Sequence, residues 1–145
     1  MSDRPQVPWS SGICDCFQDV KGCCLTCWCP CITFGRIAEV ADQGSTSCVV
    51  SGTVYLLVYL VTSGFGCCWY SCFYRSKLRN QYYLDEKPCS DLCTHCCCEY
   101  CALCQEYREL QNQGFDMSTG WNENMEKWKG SGGALPPTVQ AAMNR

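Results

Sequence analysis

From Gln43 to Tyr74 the chain runs 32 residues without an Asp, Glu, Lys or Arg. About 20 apolar residues in a helix suffice to cross about 30 Å of hydrocarbon, and few soluble domains leave so long an interval uncharged. Within it, Cys48 to Tyr74 (CVVSGTVYLLVYLVTSGFGCCWYSCFY) predicts one clear transmembrane helix. Val, Leu and Tyr fill its first half, Gly64 and Gly66 interrupt it, and Trp69, Tyr70, Phe73 and Tyr74 crowd its end as an aromatic belt would. Arg75, Lys77 and Arg79 follow at once, which by the positive-inside rule puts that flank in the cytosol. The same residues allow one alternative, a buried helical hairpin of a soluble protein broken between Ser63 and Gly66.

A shorter apolar run, Gly22 to Gly35 (GCCLTCWCPCITFG), contains Pro30 and predicts a re-entrant or interfacial segment rather than a full span. If it enters the membrane, both termini face the cytosol. It leads into Ile32 to Asp42, where Arg36 and Glu39 stand one helical turn apart, either as a solvated face or as an intramembrane pair facing a bundle interior or pore. Met1 to Gly12 holds Asp3, Arg4, Pro5 and Pro8 and has no apolar run of signal-peptide length, which disfavours a secreted disulfide miniprotein.

That matters because 18 of the 145 residues are Cys, above the roughly 8–10% that sets a short chain apart from ordinary globular proteins. In a cytosol-facing chain such thiols stay reduced unless they bind metal. Their spacings are dense: Cys14-x-Cys16, Cys24-x2-Cys27, Cys27-x-Cys29-x-Cys31, Cys93-x2-Cys96, Cys98-x2-Cys101 and Cys101-x2-Cys104. One CxxC offers two sulfurs to a soft ion, and two distant units complete a closed four-thiolate site for Zn²⁺ or Cd²⁺. The competing reading is that many of these are small buried hydrophobes. Cys67, Cys68 and Cys72, near a membrane boundary, are equally candidates for palmitoylation.

Beyond a polar connector, Cys89 to Gln113 predicts a cysteine-rich cytosolic helix, capped by Ser90 or Asp91 and ending at Gly114. Cys89, Cys93, Cys97, Cys101 and Cys104 line one of its faces, with Glu99, Glu106, Arg108 and Glu109 mostly elsewhere. His95 is either a ligand in a mixed site or a lone exposed histidine. The tail, 129–145, is expected to be flexible, as are residues 1–13, leaving a cysteine-rich domain over 14–128 with membrane segments near 22–38 and 48–74.

Several functions are disfavoured. A net charge of −3 gives no basic surplus for nucleic acid. One His excludes a multi-histidine metal centre within the chain. Thioredoxin-like chemistry wants a βαβ context. No nucleophile stands with a base and no glycine-rich phosphate loop is visible, so no enzymatic activity is expected.

Four blocks occur in order: Trp9-Ser10-Ser11-Gly12-Ile13-Cys14-Asp15-Cys16-Phe17; Cys23-Cys24-x4-Cys29-Pro30-Cys31-Ile32-Thr33-Phe34-Gly35; Cys101-Ala102-Leu103-Cys104-Gln105-Glu106-Tyr107-Arg108-Glu109-Leu110; and Gly114-Phe115-Asp116-Met117-Ser118 with Gly120-Trp121. Together they resemble the plant cadmium resistance proteins, grouped with fruit-weight and cell-number regulators among placenta-specific-8-like domains. The resemblance implies a small, self-associating plasma-membrane protein, with some members conferring cadmium resistance or moving zinc and others restricting cell number. It ties Cys23, Cys24, Cys29 and Cys31 to metal resistance and suggests a pentamer.

The resulting expectation is an all-α, zinc-stapled membrane protein, a homo-oligomeric conduit or exporter for Zn²⁺ and Cd²⁺ in contact with lipid. Its candidate metal residues are Cys14, Cys16, Cys23, Cys24, Cys27, Cys29, Cys31, Cys93, Cys96, Cys97, Cys98, Cys101 and Cys104. Glu39, Asp42, Cys29 and Cys31 are candidates for the ion pathway. The alternatives are a membrane-anchored regulator of cell number with structural zinc, and a thiol chelator of cadmium.

Overall fold

The computed structural model describes residues 8, 9, 12, 18–84 and 90–130, and among them the elements are seven α-helices. The expected flexible amino terminus and tail, with Cys14, Cys16 and Cys89, lie largely or wholly outside the described residues. α1 (Val20–Trp28) opens on Asp19, whose carboxylate accepts the Gly22 N–H at 3.2 Å. It stops at Cys29 because Pro30 bars its predecessor from helical geometry, while the fixed φ of Pro30 suits the first turn of α2 (Pro30–Ala41). The two helices meet at 113°. Across that elbow the buried hydroxyls of Thr26 and Thr33 lie 3.1 Å apart and pin one helix to the other. The run expected to be re-entrant or interfacial is thus sharply bent at Pro30.

α3 (Cys48–Thr62) is capped by Ser47, which accepts from the Val50 N–H at 3.3 Å. The predicted single span ends here. Ser63 (φ 54°) and Gly64 (φ 91°) both take left-handed geometry and turn the chain into α4 (Phe65–Tyr82). In a straight helix Cys67 would stand about 18 Å from Tyr55. Instead its thiol donates to the Tyr55 carbonyl at 3.7 Å, so α4 folds back on α3. The expected single transmembrane helix over 48–74 is therefore corrected to two helices folded on each other, broken as the alternative placed it but not buried as that alternative required, because two consecutive left-handed residues cannot continue a right-handed helix. No single helix among the described residues is long and apolar enough to cross a membrane; only α1 and α2 together, bent, reach that length and composition.

The expected cysteine-rich helix is also divided. α5 (Asp91–Cys97), capped by Ser90, ends at the extended residue Cys98 (φ −153°, ψ 87°), and α6 (Glu99–Asn112) starts anew. The cysteine stripe survives as a Cys93–Cys97 pair 3.8 Å apart and is then rotated away. Gly114 (φ 102°) takes the left-handed position expected of it. α7 (Trp121–Gly130) packs back through Phe115, whose ring lies 5.8 Å from Trp121 and 5.0 Å from Trp128.

The centre of the fold is α2, with Phe34, Ile37, Ala38, Val40 and Ala41 buried. Phe34 stacks on Tyr55 at 4.9 Å and meets Tyr70 and Tyr74 at 4.9 and 5.2 Å, joining α2 to both arms of the hairpin. α2 and α3 come this close because Gly52 has no side chain: a Cβ there would lie 2.9 Å from the Cys31 carbonyl oxygen. The outer side of the hairpin stays bare, with Val49, Leu57, Leu60, Val61, Phe65, Trp69 and Phe73 all exposed.

Candidate functional site

The bend at Cys29 opens a cavity of about 280 Å³ lined by Cys27, Trp28, Cys29, Pro30 and Cys31 on the elbow, Tyr55, Leu56 and Tyr59 on α3, and Tyr100 on α6. Three of the predicted metal cysteines, Cys27, Cys29 and Cys31, thus share one cavity. Cys23 and Cys24 lie earlier on α1, half-buried and exposed respectively, and do not line it. The wall is otherwise apolar and aromatic, so sulfur is its softest donor.

Tyr55 joins this cavity to a buried polar network. Its hydroxyl donates to Glu99 Oε1 at 3.2 Å, which also accepts from the Ser71 hydroxyl at 2.6 Å. The other Glu99 oxygen lies 2.8 Å from His95 Nδ1, and His95 Nε2 is 3.0 Å from Glu106 Oε1. Arg75 follows, 1% exposed, with Nη1 3.6 Å from Glu106, Nε 3.4 Å from Asp91 and Nη2 donating to Gln105 at 2.7 Å. Its guanidinium lies 4.1 Å from the centre of the Trp9 ring. Asp91 Oδ2 also takes Ser76 at 2.6 Å and Arg79 at 3.2 Å.

With His95 protonated, three cations (Arg75, Arg79, His95) balance three carboxylates (Asp91, Glu99, Glu106). Burial by itself pushes the imidazole down, but the charge and hydrogen bond of Glu106, with Glu99 behind it, outweigh that and push His95 up to about 9. The folded value lies above the unfolded 6.5, so this contribution to stability is complete below pH 6.5 and fades as pH rises through 9. The melting midpoint in detergent is expected to fall over that interval, by more than in a His95→Gln variant. Parallel curves for the two proteins would show that His95 carries no such linkage.

The expected lone exposed histidine is thus corrected: His95 is 1% exposed, because the α5–α6 break turns it inward between two acids. The basic flank read as a cytosolic signal is also committed within the chain, Arg75 to Asp91 and Glu106, Lys77 to Asp42 and Arg79 to Asp91. Spacing hinted at the network, since Asp91, His95 and Glu99 recur every four residues, but the cysteines drew that reading to the other face.

The two acidic pathway candidates are engaged as well. Glu39 accepts the Cys48 N–H at 2.9 Å and the Trp121 N–H at 2.8 Å, capping the first turns of α3 and α7 at once. Asp42 pairs with Lys77 and accepts from the Tyr74 hydroxyl at 3.0 Å. Arg36 turns to the Tyr107 hydroxyl at 3.2 Å.

Of the remaining cysteines, Cys93, Cys96 and Cys97 are exposed on α5 and Cys104 is buried on α6. The Cys98 and Cys101 sulfurs face each other across one CxxC unit, with their Cα atoms 5.3 Å apart, within reach of a disulfide bridge. Among the described residues no three Cys, His, Asp or Glu side chains are arranged to hold a metal ion.

The chain is a member of the PLAC8 family, whose model matches residues 9–109. It is 52% identical over 140 residues to Protein PLANT CADMIUM RESISTANCE 2 of Arabidopsis thaliana, covering 94% of this chain and 90% of that one. Protein PLANT CADMIUM RESISTANCE 1 of the same plant is 49% identical over 144 residues, covering 97% and 93%. Cell number regulator 9 of Zea mays is 54% identical over 138 residues, covering 94% and 77%. No solved structure matches the chain.

Proposed function

We propose that the protein is a homo-oligomeric plasma-membrane conduit or exporter for Zn²⁺ and Cd²⁺ that confers heavy-metal resistance. The observation that carries this reading is the elbow cavity, which brings Cys27, Cys29 and Cys31 to one space beside the uncharged hairpin. Soft sulfur suits Cd²⁺ and Zn²⁺. Three cysteines around an open cavity, without a closed cage, favour binding that is loose enough to release the ion, as conduction requires.

Two further observations support it. The outer side of α3 and α4 leaves Val49, Leu57, Leu60, Val61, Phe65, Trp69 and Phe73 exposed, and lipid or neighbouring copies would cover them. Helices as short as these enclose no pathway alone, whereas a ring of identical subunits, a pentamer in this proposal, does. In this reading the elbow cysteines carry the ion, and Glu39 and Asp42 hold the helices that frame it.

The relative named as a cell number regulator supports a second reading, a membrane-anchored regulator that moves no ion. Cadmium flux into vesicles reconstituted with the purified oligomer separates the two. The conduit gives protein-dependent flux that saturates with cadmium. Absence of flux from an assembled oligomer would overturn the conduit and leave the regulator, or a simple thiol chelator.

A further inference from the structure

The chain holds four CxxC units of identical spacing, Cys24-x2-Cys27, Cys93-x2-Cys96, Cys98-x2-Cys101 and Cys101-x2-Cys104. Three of them lie wholly inside helices, in α1, α5 and α6. Residues three apart in a helix keep their Cβ atoms about 5–6 Å apart, whereas a disulfide requires about 3.5–4.5 Å, so such a pair closes only by unwinding the turn. Cys98 differs, because it is the extended residue between α5 and α6 (φ −153°, ψ 87°) and swings its side chain over the open end of α6 toward Cys101. Backbone bonds hold that geometry from both sides: the Cys98 N–H donates to the Thr94 carbonyl at 3.1 Å, and the Ala102 N–H to the Cys98 carbonyl at 3.0 Å. Both cysteines are half-buried, so small solutes reach them, and neither lines the elbow cavity.

We propose that Cys98 and Cys101 form a redox site that exchanges with low-molecular-weight disulfides of the glutathione type, independently of any ion movement at the elbow. Cys98 is the attacking thiol: its sulfur accepts the Cys101 N–H at 3.3 Å, and the positive end of α6 stabilises negative charge there.

The Cys98 thiolate attacks one sulfur of glutathione disulfide, forming a Cys98–glutathione mixed disulfide and releasing one glutathione thiolate, which takes up the proton Cys98 lost. Cys101, deprotonated in turn, attacks the Cys98 sulfur and releases the second glutathione. Two protein thiols thus lose two electrons, and one glutathione disulfide is reduced to two glutathiones. The loop so closed contains Glu99, the acid that joins Tyr55 at the elbow to His95, so the bridge fixes the turn that aims this carboxylate.

The test equilibrates the full chain in detergent, without oxygen, with glutathione and glutathione disulfide over a range of ratios. Acid quenching and N-ethylmaleimide follow, and mass spectrometry reads each cysteine. Cys98 and Cys101 are expected to become half-oxidised together at a glutathione disulfide level about tenfold or more below that needed for Cys24 and Cys27 or for Cys93 and Cys96, which are exposed but lie within helices. Cys101→Ser is expected to trap the mixed disulfide on Cys98, while Cys98→Ser, which supplies a preferred helix cap, leaves Cys101 about tenfold less modified. Oxidation of the three units at one common ratio, pairing of Cys101 with Cys104 instead, or equal glutathione uptake by Cys101 in the Cys98→Ser protein would each overturn the proposal.

Discussion

Replacing Arg75 by Leu is expected to destabilise the protein by on the order of 3–5 kcal/mol, the largest single-residue effect outside the apolar core. The guanidinium is 1% exposed and stands between Asp91 and Glu106, themselves nearly fully buried. Without it, both carboxylates remain away from water with one neutralising charge fewer. Arg75→Lys is expected to recover only part of the loss, because an ammonium cannot serve Asp91, Glu106 and Gln105 at once as the planar fork does. Denaturant unfolding followed by tryptophan fluorescence measures this. A loss below about 1 kcal/mol would show that the network is solvated rather than buried.

The second large effect is at Glu39. Its two oxygens cap different helices, at Cys48 N and Trp121 N, and Gly120 lets α7 approach, since a Cβ there would come within 2.7 Å of Glu39 Oε1. Glu39→Ala removes two charge-assisted acceptors at two positive helix ends, at about 1–2 kcal/mol each. Glu39→Gln keeps one carbonyl oxygen and is expected to lose about half as much. α7 should loosen first, seen as a change in tryptophan emission before global unfolding. A residue acting only in an ion pathway behaves differently: its replacement lowers flux and leaves the melting midpoint where it was. A Glu39→Gln protein of native stability and reduced flux would restore Glu39 to the pathway.

How much of this was legible in the sequence depends on whether a feature is local. Pro30 announced the elbow, Ser90 the start of α5 and Gly114 the end of α6, because each acts through its own backbone geometry. The hairpin turn was written in Ser63 and Gly64, yet apolar periodicity cannot distinguish a span from two helices of the same composition folded on each other. The Cys98 kink left no comparable mark, since the residues around it keep helical spacing. Without the kink, an unbroken helix sets His95 either beside the cysteines as a ligand or exposed, and its acids simply off the cysteine stripe. The pairing of Arg75 with residues 16 and 31 positions later is tertiary, and a basic cluster after an apolar stretch reads more simply as a membrane flank. The motif blocks, by contrast, identified the family, because Cys29-Pro30-Cys31 and the Cys101 to Leu110 block are continuous in sequence.

The central claim is that the elbow cysteines, rather than thiols in general, handle the ion. The measurement that reaches it most directly is cadmium flux in reconstituted vesicles, compared for the unaltered chain, for Cys29→Ser/Cys31→Ser and for Cys23→Ser/Cys24→Ser, each checked for assembly. The first pair lines the cavity and the second does not. The account predicts that flux falls by about tenfold or more in the first variant and stays within about twofold in the second. Equal losses in both, or undiminished flux through the Cys29→Ser/Cys31→Ser protein, would contradict it.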